Sequence, residues 1–189
     1  MSKNKVKYNL RNVFYAPHTL GTNGEVTGFG TPVAWPGAVS ISLDAENLET
    51  DFYADGYDYF FRRMNNGYSG DFESALVPES FKTDVLKYST DAAGVVIETG
   101  EEKPVNFALL FQFDGDASNS RHVLYNCAVG RPSIASATIG ENADPQTETA
   151  SITAKRLEGY GVHAYCDESS SAYEGWNSAV YKPTEQSGD

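Results

Sequence analysis

Apolar and polar residues alternate most clearly between Val105 and Phe113, where Val105, Phe107, Leu109, Phe111 and Phe113 share one face of a period-two pattern. Ala108 and Leu110 on the other face are also apolar, so the pattern predicts a strand covered on both sides. Lys5 to Arg11 sets Val6, Tyr8 and Leu10 against Lys5, Lys7, Asn9 and Arg11, the pattern of a half-buried strand. Val39, Ile41 and Leu43 alternate with Ser40 and Ser42, and Phe72, Ser74 and Leu76 alternate with Asp71, Glu73 and Ala75. Val95–Glu98 predicts a short strand, and Asp114-Gly115 turns the strong strand into a further one, Arg121–Val129. Ala150–Ala154 and Tyr160–Tyr165 predict a closing hairpin around Glu158-Gly159. Asn23-Gly24 predicts a hairpin turn between Tyr15 and Phe29, and Asp55-Gly56 and Asn66-Gly67 are further turn signals.

One helix is predicted, over residues 78–88. Phe81, Val85 and Tyr88 fall on one side of it, and Pro78 suits a first helical position. Glu79 near its start and Lys87 near its end both suit the helix dipole. Between the strands Val39–Leu43 and Tyr68–Val77, residues 45–66 are expected to form a long loop. Residues 44–58 hold six carboxylates and no cation: Asp44, Glu46, Glu49, Asp51, Asp55 and Asp58. Interleaved with or next to them are Phe52, Tyr53, Tyr57, Tyr59, Phe60 and Phe61. Residues 133–148 are small and polar and read as a loop. The expected architecture is one mainly β domain over residues 1–166, a sandwich or barrel of about eight to ten strands with a flanking helix. Residues 167–189, rich in Ser, Gly and acids, are expected to form a mobile tail in which Trp176 and Tyr181 are isolated anchors.

Composition supports a packed β domain. The 189 residues are 40% hydrophobic and 13% aromatic, with 12 Tyr and 10 Phe, a composition that favours strands over disorder. The net charge of −12 argues against a nucleic-acid groove or an anionic membrane surface, both of which need clustered Lys and Arg. Against that balance the first eleven residues stand out, with Lys3, Lys5, Lys7 and Arg11 and no acid. This basic arm suits pairing with acidic surface on a neighbouring copy, or simple solvation. The start of the sequence has no signal-peptide pattern and no run long enough for a membrane span, so synthesis in a cytoplasm, without a membrane anchor, is expected.

Familiar catalytic and ligand motifs do not emerge. Cys127 and Cys166 form no C-x-x-C pair and read as small buried hydrophobes. His18, His122 and His163 are scattered and match no metal-ligand spacing. Asp114-Gly115-Asp116 fails the calcium-loop spacing, because Asn119 stands where glycine is needed and Tyr125 where the closing glutamate belongs. Asp71 and Glu73, two apart on one strand face, could be an acid and a nucleophile for glycoside hydrolysis, but such pairs are common on wet strand faces. No cofactor is expected.

The matching segments in order are Val6–Val13, Thr31-Pro32-Val33, Pro36–Ser40, Phe52–Asp55, Asn66–Gly70, Glu73–Pro78, Phe107–Phe111 and Arg131-Pro132. Together, across roughly residues 5–165, they resemble the major tail tube protein of long-tailed, non-contractile (siphovirus-type) bacteriophages. The resemblance implies a β-sandwich with a flanking helix and no enzymatic activity or cofactor. It implies assembly into hexameric rings that stack into a tube in the virion tail, built in the host bacterial cytoplasm. The implied partners are other copies, the tape measure protein and the tail tip and terminator proteins. DNA passes through the tube without specific binding. With that frame, alternation makes Ser40, Ser42, Asp44, Asp71 and Glu73 the candidate lumen lining, where like charge repels DNA over a Debye length of ~8 Å. Phe52, Tyr53, Tyr57, Tyr59, Phe60 and Phe61 become candidate subunit contacts. A monomeric β-sandwich binding or decoration module, immunoglobulin-like or carbohydrate-binding, is the alternative reading.

Overall fold

The computed structural model describes residues 5–116, 118–136, 138 and 145–184, and the chain is mainly β. Its strands are β1 (Lys5–Leu20), β2 (Val26–Phe29), β3 (Val33–Ala34), β4 (Ala38–Ala54) and β5 (Tyr57–Ser74). After helix α1 (Glu79–Asp84) come β6 (Ser89–Thr90), β7 (Val96–Ile97), β8 (Phe107–Asp116), β9 (Arg121–Val129), β10 (Glu148–Ala154) and β11 (His163–Cys166). Nine strands form one sheet in the order β2-β1-β8-β9-β10-β5-β4, with β3 added to β1 and β11 to β9. The sheet folds over its own core in a sandwich-like way and does not close as a barrel. Among the described residues no ladder joins β4 back to β1.

Strand β8 organises the interior as its pattern predicts. Phe107, Leu109 and Phe111 enter a core shared with Tyr15 of β1, Phe72 of β5 and Ile152 of β10. On that side α1 contributes Phe81, whose ring meets Tyr15 at 5.0 Å and Phe107 at 5.2 Å, both edge-on, the geometry favoured by the ring quadrupoles. Ala108 and Leu110 point the other way, into a second cluster with Ala16, Val123, Tyr125 and Trp176.

The segment expected as a mobile tail supplies much of that second cover. Trp176 is 2% exposed and its indole N–H donates to the His122 carbonyl at 3.3 Å. The Arg121 guanidinium lies 3.9 Å from the centre of the Tyr173 ring and donates to the Tyr173 carbonyl at 2.6 Å. Residues 167–184 are therefore a strap packed on the sheet, built of turns; residues 185–189 lie outside the described residues.

Several boundaries differ from the sequence expectation. The helix stops at Asp84, not residue 88, because Lys87 adopts a left-handed φ of 64° and the Val85 carbonyl accepts from Val105 in place of continuing the helix. In β1 the simple alternation breaks at Asn9 and Asn12, whose φ values of 56° and 50° accompany register shifts. Tyr8 is left exposed, and burial begins at Val13 and Tyr15. Leu76 lies beyond β5 and is exposed, so Phe72 and Ser74 carry the inward face. The predicted closing hairpin does not form: β10 and β11 divide the same edge of β9 between them, with Leu157 and Gly161 bridging locally. The Asn23-Gly24 turn does join β1 to β2.

Residues 45–66 are not a loop. β4 and β5 pair from Ala38↔Ser74 out to Ala54↔Tyr57, a single long antiparallel hairpin. Its turn is Asp55-Gly56, with φ values of 54° and 82°, the pair of left-handed residues that a two-residue type I′ turn requires. Midway, Gly67 (φ 96°) crosses so close to β10 that a Cβ would lie 2.0 Å from the Ala154 carbonyl oxygen. Gly70 meets the Ser42 carbonyl in the same way. No larger residue fits either crossing without moving backbone.

Candidate functional site: the two halves of the hairpin

From Ser40 onward the proximal half of the hairpin alternates as the sequence predicts; Val39, expected on the apolar face, sits at a register shift and is exposed. Ile41 and Leu43 pack against the main core, while Ser40, Ser42 and Asp44 are exposed. Register sets Ser40 beside Glu73, Ser42 beside Asp71 and Asp44 beside Ser69. Paired residues share a sheet face, so the five predicted polar residues are brought together. β10 extends the surface, because Thr149, Ser151 and Thr153 stand opposite Glu73, Asp71 and Ser69. The result is three rows across three strands, each Ser, Thr, Asp or Glu, with no cation in any row. The β10 contribution is hidden from the sequence: its alternation is visible there, but its neighbour is not.

Hydrogen bonds tie the acids into the face. Glu73 accepts from Thr147 Oγ1 at 2.5 Å and from Ser40 Oγ at 2.9 Å, and these bonds, Thr147 first, hold its carboxyl below the usual range. The Ser69 hydroxyl donates to Glu46. A carboxylate kept ionised in this way does not suit a general acid at neutral pH.

The distal half has a different character. On one side lie the pairs Leu48↔Met64, Thr50↔Arg62 and Phe52↔Phe60; on the other lie Asn47↔Asn65, Glu49↔Arg63 and Asp51↔Phe61. A register shift beyond Phe52 displaces the tip, where Tyr53 pairs with Asp58. The six predicted aromatic residues are 48–68% exposed. Their ring contacts are local: Phe52 with Tyr59 at 6.4 Å and Tyr57 with Tyr59 at 6.2 Å. A hydrogen bond to Asp58 raises the Tyr53 phenol above its ordinary value. The Arg63–Glu49 ion pair, 2.7 Å long, is open to solvent and worth at most about 1 kcal/mol.

The basic arm is the first part of β1. Lys5 is in register with Asp116, Lys7 follows on the same strand, and Arg11 forms a 2.6 Å ion pair with Asp114. Lys3 lies outside the described residues.

Two histidines that sequence spacing kept apart do meet. His122 Nδ1 and His163 Nε2 are 3.1 Å apart, with ring planes 11° apart and centroids 5.3 Å apart. Nitrogens so much closer than centroids mean that the rings meet edge to edge, within hydrogen-bond distance. β9 and β11 bring the pair about, through the register Tyr165↔His122 and His163↔Leu124. Both imidazoles line a cavity of about 270 Å³ between the base of the hairpin and β8. Among the described residues no three His, Cys, Asp or Glu side chains gather as a metal-binding group. Both cysteines are free and buried; burial pushes the Cys127 thiol up to about 12 and raises Cys166 as well, so neither is poised to react.

No protein-family model matches the chain, and no curated protein matches it. Among solved structures, it is similar to a chain of the anti-feeding prophage cap (AFP tube terminating cap), solved by cryo-EM. That likeness covers 86% of this chain and 93% of the other, at 10% identity and a TM-score of 0.37, too slight to bear on fold or function.

Proposed function

We propose that the chain is a structural protein of a phage tail that polymerises with itself, as hexameric rings stacked into a tube. The observation that carries this reading is the distal hairpin: six aromatic side chains, each about half exposed or more, on a two-stranded projection whose ring contacts are its own. An isolated two-stranded hairpin is marginal in water. Burying roughly 100 Å² from each of the six rings contributes about 15 kcal/mol at ~25 cal/mol per Å². That is enough to offset the ~4–15 kcal/mol cost of ordering one copy against another. Such burial by many identical copies also removes an apolar surface that is otherwise an aggregation hazard.

The polar face at the hairpin base then suits a channel wall. Its rows around Asp44, Asp71 and Glu73 present carboxylates and hydroxyls without a cation, a surface that repels a passing DNA duplex and does not bind it. The tape measure, tail tip and terminator proteins are the further partners of this reading, and the virion tail is its location.

Negative-stain microscopy of the purified chain at rising concentration tests the assembly, with rings or tubes expected. A chain that stays monomeric at every concentration and fails to add to a tail tip overturns the reading. Asp71→Lys with Glu73→Lys tests the wall: tubes should form and genome ejection should fail. Exposed aromatic rings on a stiff support also suit a monomeric carbohydrate-binding module, and a clear glycan-array hit from a protein that never polymerises would favour that alternative.

A further inference from the structure

We propose that the cavity beside the His122–His163 pair is a socket for the hairpin tip of a second copy of this chain. The inference deepens the self-assembly reading and rests on it. The cavity has Leu43 and Tyr68 from the hairpin base on one wall, and Phe111 and Phe113 of β8 on the other. The two imidazoles make part of its lining polar. A volume of about 270 Å³ accommodates an aromatic side chain. The tip supplies such side chains with matching chemistry: Tyr53, Tyr57 and Tyr59 carry a hydroxyl at the far end of an apolar ring, suited to a cavity with aromatic walls and imidazoles.

The tip cannot reach the cavity of its own chain. Strand pairing runs without a break from Asn47↔Asn65 to the register shift at Phe52, and the projecting half is about 26 Å long at ~3.3 Å per residue. A paired hairpin of that length does not fold back onto its base, so the contact is between copies.

Tip and socket are different surfaces of one chain, so the contact is head-to-tail and repeats from copy to copy, closing a ring or continuing as a filament.

The test uses the full chain under conditions where it assembles. p-Benzoylphenylalanine is placed at position 57, the protein is mixed with an isotope-labelled copy, and the assembly is irradiated. Crosslinks between differently labelled copies are expected at Leu43, Tyr68 or Phe113. In parallel, Leu43→Trp fills the cavity and should raise the concentration needed for assembly at least tenfold, with an unchanged circular dichroism spectrum. Crosslinks confined to other hairpin tips overturn the socket and leave self-assembly standing, as does parental assembly by a folded Leu43→Trp protein. If Leu43→Trp does not fold, the crosslinks decide alone. A parent chain that forms no rings or tubes overturns self-assembly, and the socket with it.

Discussion

The two halves of the β4–β5 hairpin share a backbone plan and differ in what surrounds it. Both are antiparallel and paired along their length, with a register shift between them at Ala45/Asn47, yet the inner half buries Phe72 and packs Ile41 and Leu43 against the main core while the outer half exposes nearly everything it carries. Hydrogen-bonded pairing therefore does not set burial here; side-chain pattern does. The inner half segregates its residues, with Ile41, Leu43 and Phe72 inward and Ser40, Ser42, Asp44, Asp71 and Glu73 outward. The outer half carries large apolar residues on both sides, with Leu48, Phe52 and Phe60 on one and Phe61 on the other. A strand with one apolar face fits its own sheet, whereas one with apolar groups on both faces fits an environment the single chain does not provide.

The sharpest way to break this contrast is to make the same change in each half. Phe72→Ala should cost about 3–5 kcal/mol in denaturant unfolding, the usual loss for a large buried aromatic. Phe52→Ala should change monomer stability by no more than about 0.5 kcal/mol while weakening assembly. Equal losses at the two sites would mean that the outer half packs on the monomer after all.

Removing the outer half altogether sharpens the contrast. Joining Asn47 to Asn65 through an Asn-Gly turn should leave a folded protein whose melting temperature moves by no more than about 4 °C, an effect near 1 kcal/mol for a chain this size. That protein should form no rings or tubes. Loss of folding would assign the outer half a part in the core.

Acid should separate the body from the projection more gently. His18 is 7% exposed, its Nε2 is 2.8 Å from the Tyr125 carbonyl, and burial lowers its pKa from the ordinary 6.5. The unfolded chain takes up a proton as pH falls below about 6.5, and the folded chain resists it to lower pH. This contribution to stability is therefore full above about 6.5 and is lost as pH falls, with a slope of at most about 1.4 kcal/mol per pH unit. Thermal unfolding from pH 7.5 to 5 should show the fall, and His18→Phe should flatten it. Hairpin aromatic fluorescence in the monomer should not follow the same transition. The smallest expected effect is Tyr125→Phe. The Tyr125 hydroxyl is buried with no hydrogen-bond partner among the described residues, so its removal should be neutral or stabilise by up to about 1 kcal/mol.

Much of the body was legible in the sequence because burial had written a period into it. The two-sided strand at Phe107–Phe113 and the inner hairpin rows follow from alternation, and the Asn23-Gly24 turn follows from its residue pair. The outer hairpin reads as a loop in the sequence because Tyr59-Phe60-Phe61-Arg62-Arg63 has no period of two, and none is imposed where neither face meets the core. Its one local signal, Asp55-Gly56, was in plain sight as a turn and is the hairpin's tip. Non-local pairing lay beyond reach in every case. Thr149, Ser151 and Thr153 join the polar face only because β10 adds to β5, and His122 meets His163 only because β11 adds to β9. Trp176 was recognised as an anchor, but its mooring depends on Arg121, 55 positions earlier, gripping Tyr173.

The glycines at the hairpin's midpoint have a mechanical meaning. Gly67 and Gly70 let β5 press directly on the backbones of β10 and β4, with no side chain between to yield. The crossing is a fulcrum. A sideways load on the outer arm turns about that point and is delivered into strands whose opposite faces hold Phe72 and Ile152. Close-packed interiors deform little. An array of such levers, each seated against a neighbour, would resist bending at the stiffness of a protein core, not that of a loop.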